Sequence, residues 1–243
     1  MRTVLVDALG AGRRTLSATE SHHLLRVLRL ARGGHVRVVD GAGLEGIGTL
    51  VDVEGPLATL EIGEVHAAPP PPPVLVLLGA PRGPLVEEAV TLGTELGATA
   101  FWVVRVERTP PGEVRLDRLE RVLDAALKQC RRTDRPALRT FPTLAAALAA
   151  LPDGARFVGA PGGAAPAEAR ELAEAGSAAE PQGAGGVAGV LPRPMILGIG
   201  PEGGFTSEEV DSMVAAGFVP LGLGRAILRA PTAVAAGLAV LLA

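Results

Sequence analysis

The chain has 243 residues, 48% of them hydrophobic, and a formal net charge of −3, which provides for one small and one medium core and argues against wholesale coating of nucleic acid. One cysteine, Cys130, and four scattered histidines leave no disulfide and no metal-ligand spacing, so no metal is expected. The opening MRTVLVDALGAGRR has no apolar run suited to a signal peptide, and PTAVAAGLAVLLA at the other end is shorter than the ~20 residues of a membrane span, so the expected compartment is the cytoplasm, with no membrane partner.

In chain order, the first element is a helix over about Thr19–Leu30, with Leu24, Leu25, Leu28 and Ala31 on one face and Arg26, Arg29 and Arg32 elsewhere. Helical spacing puts at least Arg26 and Arg29 on a common face, suited to phosphate contacts. The charge distribution agrees: seven arginines stand against Asp7 and Glu20 between Met1 and Arg37. Next, HVRVVDGAGLEGIGTLVDVEGPLATLEIGEV alternates short β-rich runs with turn signals and reads as a small antiparallel barrel or meander. Five prolines, Pro69–Pro73, then impose an extended spacer and mark a boundary between residues 1–68 and 74–243.

Beyond the spacer, apolar runs alternate with helical stretches: Val74–Gly79, a helix to Leu96, Phe101–Val106, a helix to Gln129, Arg156–Ala160, Met195–Ile199 and Phe218–Leu221. This rhythm predicts an α/β domain with a parallel sheet covered by helices. The Ala/Gly/Pro-rich stretch 161–194 reads as a flexible insertion holding one short helix around Ala167–Ala175.

The sharpest motif is MILGIGPEGGFTSEEV, an apolar strand, a glycine-rich turn and a helix opened by the capping pair Thr206 and Glu209. Gly198, Gly200 and Gly203 satisfy G-x-G-x-x-G, but the motif lies 40 residues from the end, without the acidic residue that a dinucleotide site needs about twenty positions on. A second glycine-rich turn, LGLGRAILRAPTA, leads into an apolar helix expected to be buried on all sides. Two such turns at the carboxyl ends of parallel strands make a crevice for a flat adenosine read by main-chain groups. The lining expected is Leu197, Gly198, Gly200, Pro201 and Gly203 from the first turn, and Leu221, Leu223, Gly224, Ile227 and Leu228 from the second.

GPEGGFTSEEV followed by LG-x-x-ILR-x-x-TA resembles the C-terminal signature of the SPOUT superfamily, in particular the 16S ribosomal RNA uridine-N3 methyltransferases. HHLLRVLRLARGGHVRVVDGAG resembles that family's PUA-like RNA-binding domain, and Pro81-Arg82-Gly83, Thr94–Gly97, Glu107-Arg108-Thr109 and Gln129-Cys130-x-Arg132 follow in order. The resemblance implies a trefoil-knotted sheet, S-adenosylmethionine as cofactor, a homodimer, and 16S ribosomal RNA of the small subunit as partner. It extends the RNA contacts to Arg108 and Arg132. Departures from the pattern fall at Ala226, Pro231, Leu92 and Lys128.

Methylation of N3 on uracil requires loss of a proton, so the site needs a base or a cation beside the uracil oxygens. Arg229 is the expected cation and Glu202 the candidate base. Ribose 2′-O methylation and a non-catalytic RNA-binding assembly factor remain alternatives at this stage.

Overall fold

The computed structural model describes residues 2–175 and 194–242. The chain divides into two compact units, Met1–Pro71 with Leu123–Arg135, and Pro72–Val122 with Pro136–Ala243.

The first unit is built on a five-stranded sheet. Its strands are β1 (Thr3–Leu5), β2 (Gly12–Thr15), β3 (His35–Val39), β4 (Leu44–Glu54) and β5 (Leu57–Ala67), in the order β1-β3-β4-β5-β2. β1 runs parallel to β3, while the β3–β4, β4–β5 and β5–β2 pairs are antiparallel. Alternation along the strands sends Val4, Val36, Val38, Leu50, Leu60 and Ile62 into one core, which Leu24 completes.

Helix α1 (Ala18–His22) is capped by Ser17, whose hydroxyl accepts from the Glu20 N–H at 3.2 Å. The long helix expected here is not regular. After His22 the backbone widens into a π turn over His23–Val27, with the Leu28 N–H reaching the His23 carbonyl at 2.9 Å, and Arg29 follows in the left-handed region at φ +52°. Arg29 therefore lies beyond the helix, and its α-helical register with Arg26 does not exist. Buried Ser21 joins this segment to the sheet by donating to the Leu16 carbonyl and accepting from the Ala58 N–H.

α3 (Leu116–Cys130) begins in the second unit and ends in the first. Within the first unit its Lys128 ammonium lies 2.7 Å from the Glu20 carboxylate, which also accepts from the Leu5 N–H at 3.3 Å. Glu20 is only 8% exposed. A carboxylate so placed needs a cation, so the departure at Lys128 is matched by Glu20. Arg132 donates to Asp134 through Nε at 3.1 Å and again through Nη2, a two-point pair on a largely buried guanidinium. Arg132, expected as a phosphate contact, is thus held by a structural ion pair.

The second unit holds a six-stranded, wholly parallel sheet in the order β11-β9-β10-β6-β7-β8, comprising β6 (Val74–Gly79), β7 (Ala100–Val104), β8 (Ala137–Phe141), β9 (Ala155–Ala164), β10 (Met195–Ile199) and β11 (Phe218–Leu221). The connecting helices are α2 (Gly83–Glu95), α4 (Leu144–Ala149), α5 (Pro166–Ala175), α6 (Ser207–Ala215) and α7 (Ala230–Leu242). β6 and β10 are buried at every position, as continuous apolar runs in a two-sided sheet require.

Two expectations need correction here. The stretch from residue 161 does not open as insertion, because β9 continues to Ala164; α5 then falls at the short helix expected around Ala167–Ala175, and the remainder, 176–193, lies outside the described residues. Nor is α7 buried all round. Val234, Gly237, Leu238 and Leu241 face inward, with Thr232, Ala239 and Leu242 exposed. Gly237 lets α7 approach β10, since a Cβ there would stand 2.7 Å from Leu197 Cδ2. Pro231 sits in the first turn of α7, where its missing N–H costs nothing. No helix among the described residues is long and apolar enough to cross a membrane.

Lys128→Met should cost about 3 kcal/mol in urea unfolding, because it strands the Glu20 carboxylate, and Glu20→Gln/Lys128→Met together should cost less than the two single changes summed. Burial first, then Lys128, holds the His23 imidazole below its ordinary value of 6.5, against the opposing pull of Glu20. The unfolded chain then binds the extra proton more readily, so stability falls as pH drops below 6.5. His23→Gln should flatten that part of the stability profile.

Candidate cofactor and RNA site

Because every strand of the second sheet is parallel, all six carboxyl ends emerge along one edge. Both glycine-rich turns are there. After β10 the chain folds back on itself: the Gly204 N–H bonds the Pro201 carbonyl at 2.8 Å, and a Cβ on Gly200 would lie 2.8 Å from the Phe205 nitrogen. Pro201 is buried against the end of β6, where a Cβ on Gly79 would come within 2.8 Å of its ring. Thr206 and Glu209 form the expected capping box, fixing the start of α6.

The loop after β7 fastens this turn. Arg108 donates through Nη1 to the Gly203 carbonyl at 2.7 Å and the Phe205 carbonyl at 3.4 Å. The second oxygen of Glu209, Oε1, accepts from the Glu107 N–H at 2.8 Å. From the other side, Glu202 Oε1 accepts from the Arg82 N–H, at the N-cap of α2, at 3.1 Å. Arg108 and Glu202 thus each carry a structural bond beside the role expected of them: one Arg108 nitrogen is engaged on the turn, and one Glu202 oxygen is engaged on the Arg82 N–H.

The second turn leaves β11 beside the extension of β9. The Gly222 N–H bonds the Ala164 carbonyl at 2.9 Å, and a Cβ on Gly163 would fall within 2.7 Å of the Leu221 carbonyl carbon. Leu221 is buried and Leu223 half-buried, and Gly224 takes φ +117°. Ile227 is 90% exposed, so its side chain stands in solvent rather than over the crevice. Leu228 is half-buried. Arg229 is exposed, makes no side-chain hydrogen bond or ion pair among the described residues, and offers its carbonyl to the Ala233 N–H as α7 begins.

Leu197 and Gly198 lie within β10 and offer a ligand backbone only. Leu197 packs on Gly237, and a Cβ on Gly198 would strike Met213 at 2.5 Å. By contrast, a Cβ added at Gly162, Gly204 or Gly224 would meet nothing within 4 Å. The main chain is open at two turns and at one irregularity of β9, the arrangement that a flat ligand bound through backbone groups requires. The third opening is not a turn but an irregularity within β9, where APGGA breaks the register with β11 between Val158 and Ala164; it lay in the low-complexity stretch, and its signal was a glycine pair directly after an apolar run. The clamp joins Glu107 and Arg108, seen in the sequence only as part of a family-like segment, to Glu209, seen only as half of the capping pair; nothing in their spacing showed that they meet.

Comparison with known proteins gives this geometry a context. Residues 68–242 match the RNA methyltransferase domain family, and residues 16–63 match the RNA methyltransferase PUA domain. A ribosomal RNA small subunit methyltransferase E from Synechocystis sp. is 34% identical over 229 residues, which cover 93% of this chain and 71% of that protein. The chain belongs to the ribosomal RNA small subunit methyltransferase E family. A second methyltransferase E, from Bacillus subtilis, is 24% identical across 90% of this chain and 85% of its own length. The fold is also that of a Legionella pneumophila methyltransferase in complex with S-adenosylmethionine, with TM-score 0.82, 22% identity, and coverage of 98% of this chain and 96% of the other. A methyltransferase E from Neisseria gonorrhoeae bound to S-adenosylmethionine gives 0.79, 23%, 98% and 95%.

Within this methyltransferase E fold, Glu209→Ala should remove the carboxylate half of the capping box, leaving the Thr206 hydroxyl on the N–H of residue 209, together with the tie to Glu107, at a cost of about 2 kcal/mol in urea unfolding. Faster amide exchange at Glu107 and Thr206 should accompany it. Unchanged exchange at Glu107 would show that the tie does not hold in solution.

Proposed function

We propose that this protein transfers the methyl group of S-adenosylmethionine to N3 of a uridine in 16S ribosomal RNA of the small subunit. The reading is carried by the open main chain at the glycine-rich turns after β10 and β11, in a chain whose relatives are ribosomal RNA small subunit methyltransferases. The turns suit the cofactor: with the Gly204 and Gly222 N–H groups and the Gly203 carbonyl engaged within the protein, the Gly203 N–H and the carbonyls of Gly204, Gly222 and Gly224 are assigned to the adenosine, with Leu221, Leu223 and Leu228 as apolar walls. When bound, S-adenosylmethionine supplies a methyl group activated by its sulfonium.

Everything else falls to the chain. The target uracil must be unstacked to offer its Watson–Crick edge. Arg229, exposed and without an ion-pair partner among the described residues, is assigned to the uracil oxygens, where the charge left by the departing N3 proton is delocalised. Glu202 is assigned the proton through Oε2, while Oε1 stays on the Arg82 N–H and aims the carboxylate. Arg26, Arg29 and Arg32 are exposed and are assigned to phosphates; Arg32 approaches Asp52 at 3.8 Å, an exposed pair that binding would exchange. The same reading brings a trefoil knot in the second unit, a barrel-like PUA domain in the first, a homodimer and a cytoplasmic setting.

The test is methylation of small ribosomal subunits from a strain lacking the modification, followed by nucleoside mass spectrometry. 3-Methyluridine is the expected product. A ribose methyl would move the acceptor atom, and no transferred methyl at all would overturn the proposal. Arg229→Ala should lower turnover about a hundredfold with cofactor affinity held within about twofold. Loss of affinity instead would make Arg229 part of the cofactor pocket.

A further inference from the structure

A cavity of about 150 Å³ opens in the second unit between the turn that follows β6 and the loop that leads into α3. It is not the crevice of the glycine-rich turns. It is lined by Pro81 and Pro84 from the first segment and by Pro110, Pro111, Val114 and Leu119 from the second. Cavities that take drug-sized ligands start at about 300 Å³, so this one is too small for a whole cofactor and of a size for one planar base.

Three guanidiniums line it, and their partners separate them. Arg118 is paired with Glu87 at 2.6 Å and Arg115 with Asp117 at 3.0 Å. The Arg82 side chain is exposed and has no hydrogen bond or ion pair among the described residues, while its own backbone N–H holds Glu202. A small cavity lined by four prolines and one unspent guanidinium has the chemistry of a nucleotide site: ring against proline, phosphate against arginine. The link through Glu202 also sets the slot next to the turn assigned to methyl transfer.

We infer that this slot receives one unpaired nucleotide of the substrate RNA, its base against the prolines and its phosphate on Arg82. The inference rests on the proposed function for the identity of the RNA, but not for the existence of the slot. An RNA bound there is held on the same residue that positions the Glu202 carboxylate, so recognition and chemistry meet at Arg82.

Two measurements test it. Single-stranded RNA carrying 4-thiouridine, irradiated with the full-length protein and digested, should give adducts on the peptide containing Thr109–Arg115; adducts confined to other peptides would overturn the inference, whether or not the protein methylates that RNA. Arg82→Ala should weaken binding of the same RNA about tenfold and lower the slope of log affinity against log salt by about one, with Arg82→Lys keeping the slope. An unchanged slope in Arg82→Ala, with an unchanged melting temperature showing that the variant is folded, would also overturn it. Wild-type protein that crosslinks at Thr109–Arg115 yet transfers no methyl to ribosomal subunits would sink the proposed function and leave the slot standing.

Discussion

A main chain can recognise a ligand only where side chains are absent and something else holds the backbone still. That constraint organises the second unit. A parallel sheet delivers its strand ends to one edge, and glycines strip side chains from the last residues of β9 and from the turns that follow β10 and β11. Such turns lose more conformational entropy on ordering than any others. The ties come from neighbours: Arg108 on two carbonyls, Glu209 on the Glu107 N–H, and Glu202 on the Arg82 N–H. Three charged side chains that look like candidates for chemistry or RNA thus serve, wholly or in part, to keep a glycine-rich turn in place.

Much of this was legible. β10 and β11 fall at the residues that their apolar runs marked, Met195–Ile199 and Phe218–Leu221, and Thr206 and Glu209 begin α6 as a capping box. Strong local signals survived because tertiary packing agreed with them. β8 escaped notice because it is an edge strand, half exposed, with Arg139 in its middle and no apolar run to announce it. α4 does have a local signal, Thr143 ahead of an Ala/Leu run, where the Thr143 hydroxyl accepts from the Ala146 N–H.

The failures share a cause. A helical wheel assumes 3.6 residues per turn, and the segment after His22 does not keep that period, so the register of Arg26 and Arg29 dissolves. Partners distant in sequence are equally invisible to spacing. Arg108 meets Gly203 and Lys128 meets Glu20 only once the chain has folded, which is why a phosphate contact was expected of the first and only a departure from pattern was seen in the second.

That last pair also governs how the protein is made. The first unit is interrupted: it is completed by Leu123–Arg135, which follow a long stretch of the other unit. Glu20 leaves the ribosome 108 residues ahead of the ammonium that neutralises it. At about 5–20 residues per second, that is a wait of roughly 5–20 s. During that interval the N-terminal sheet has no partner for a carboxylate destined for its interior. Vectorial synthesis therefore cannot finish the first unit before the second is well under way, and a gene fragment cut at the proline run would encode a unit that is never complete.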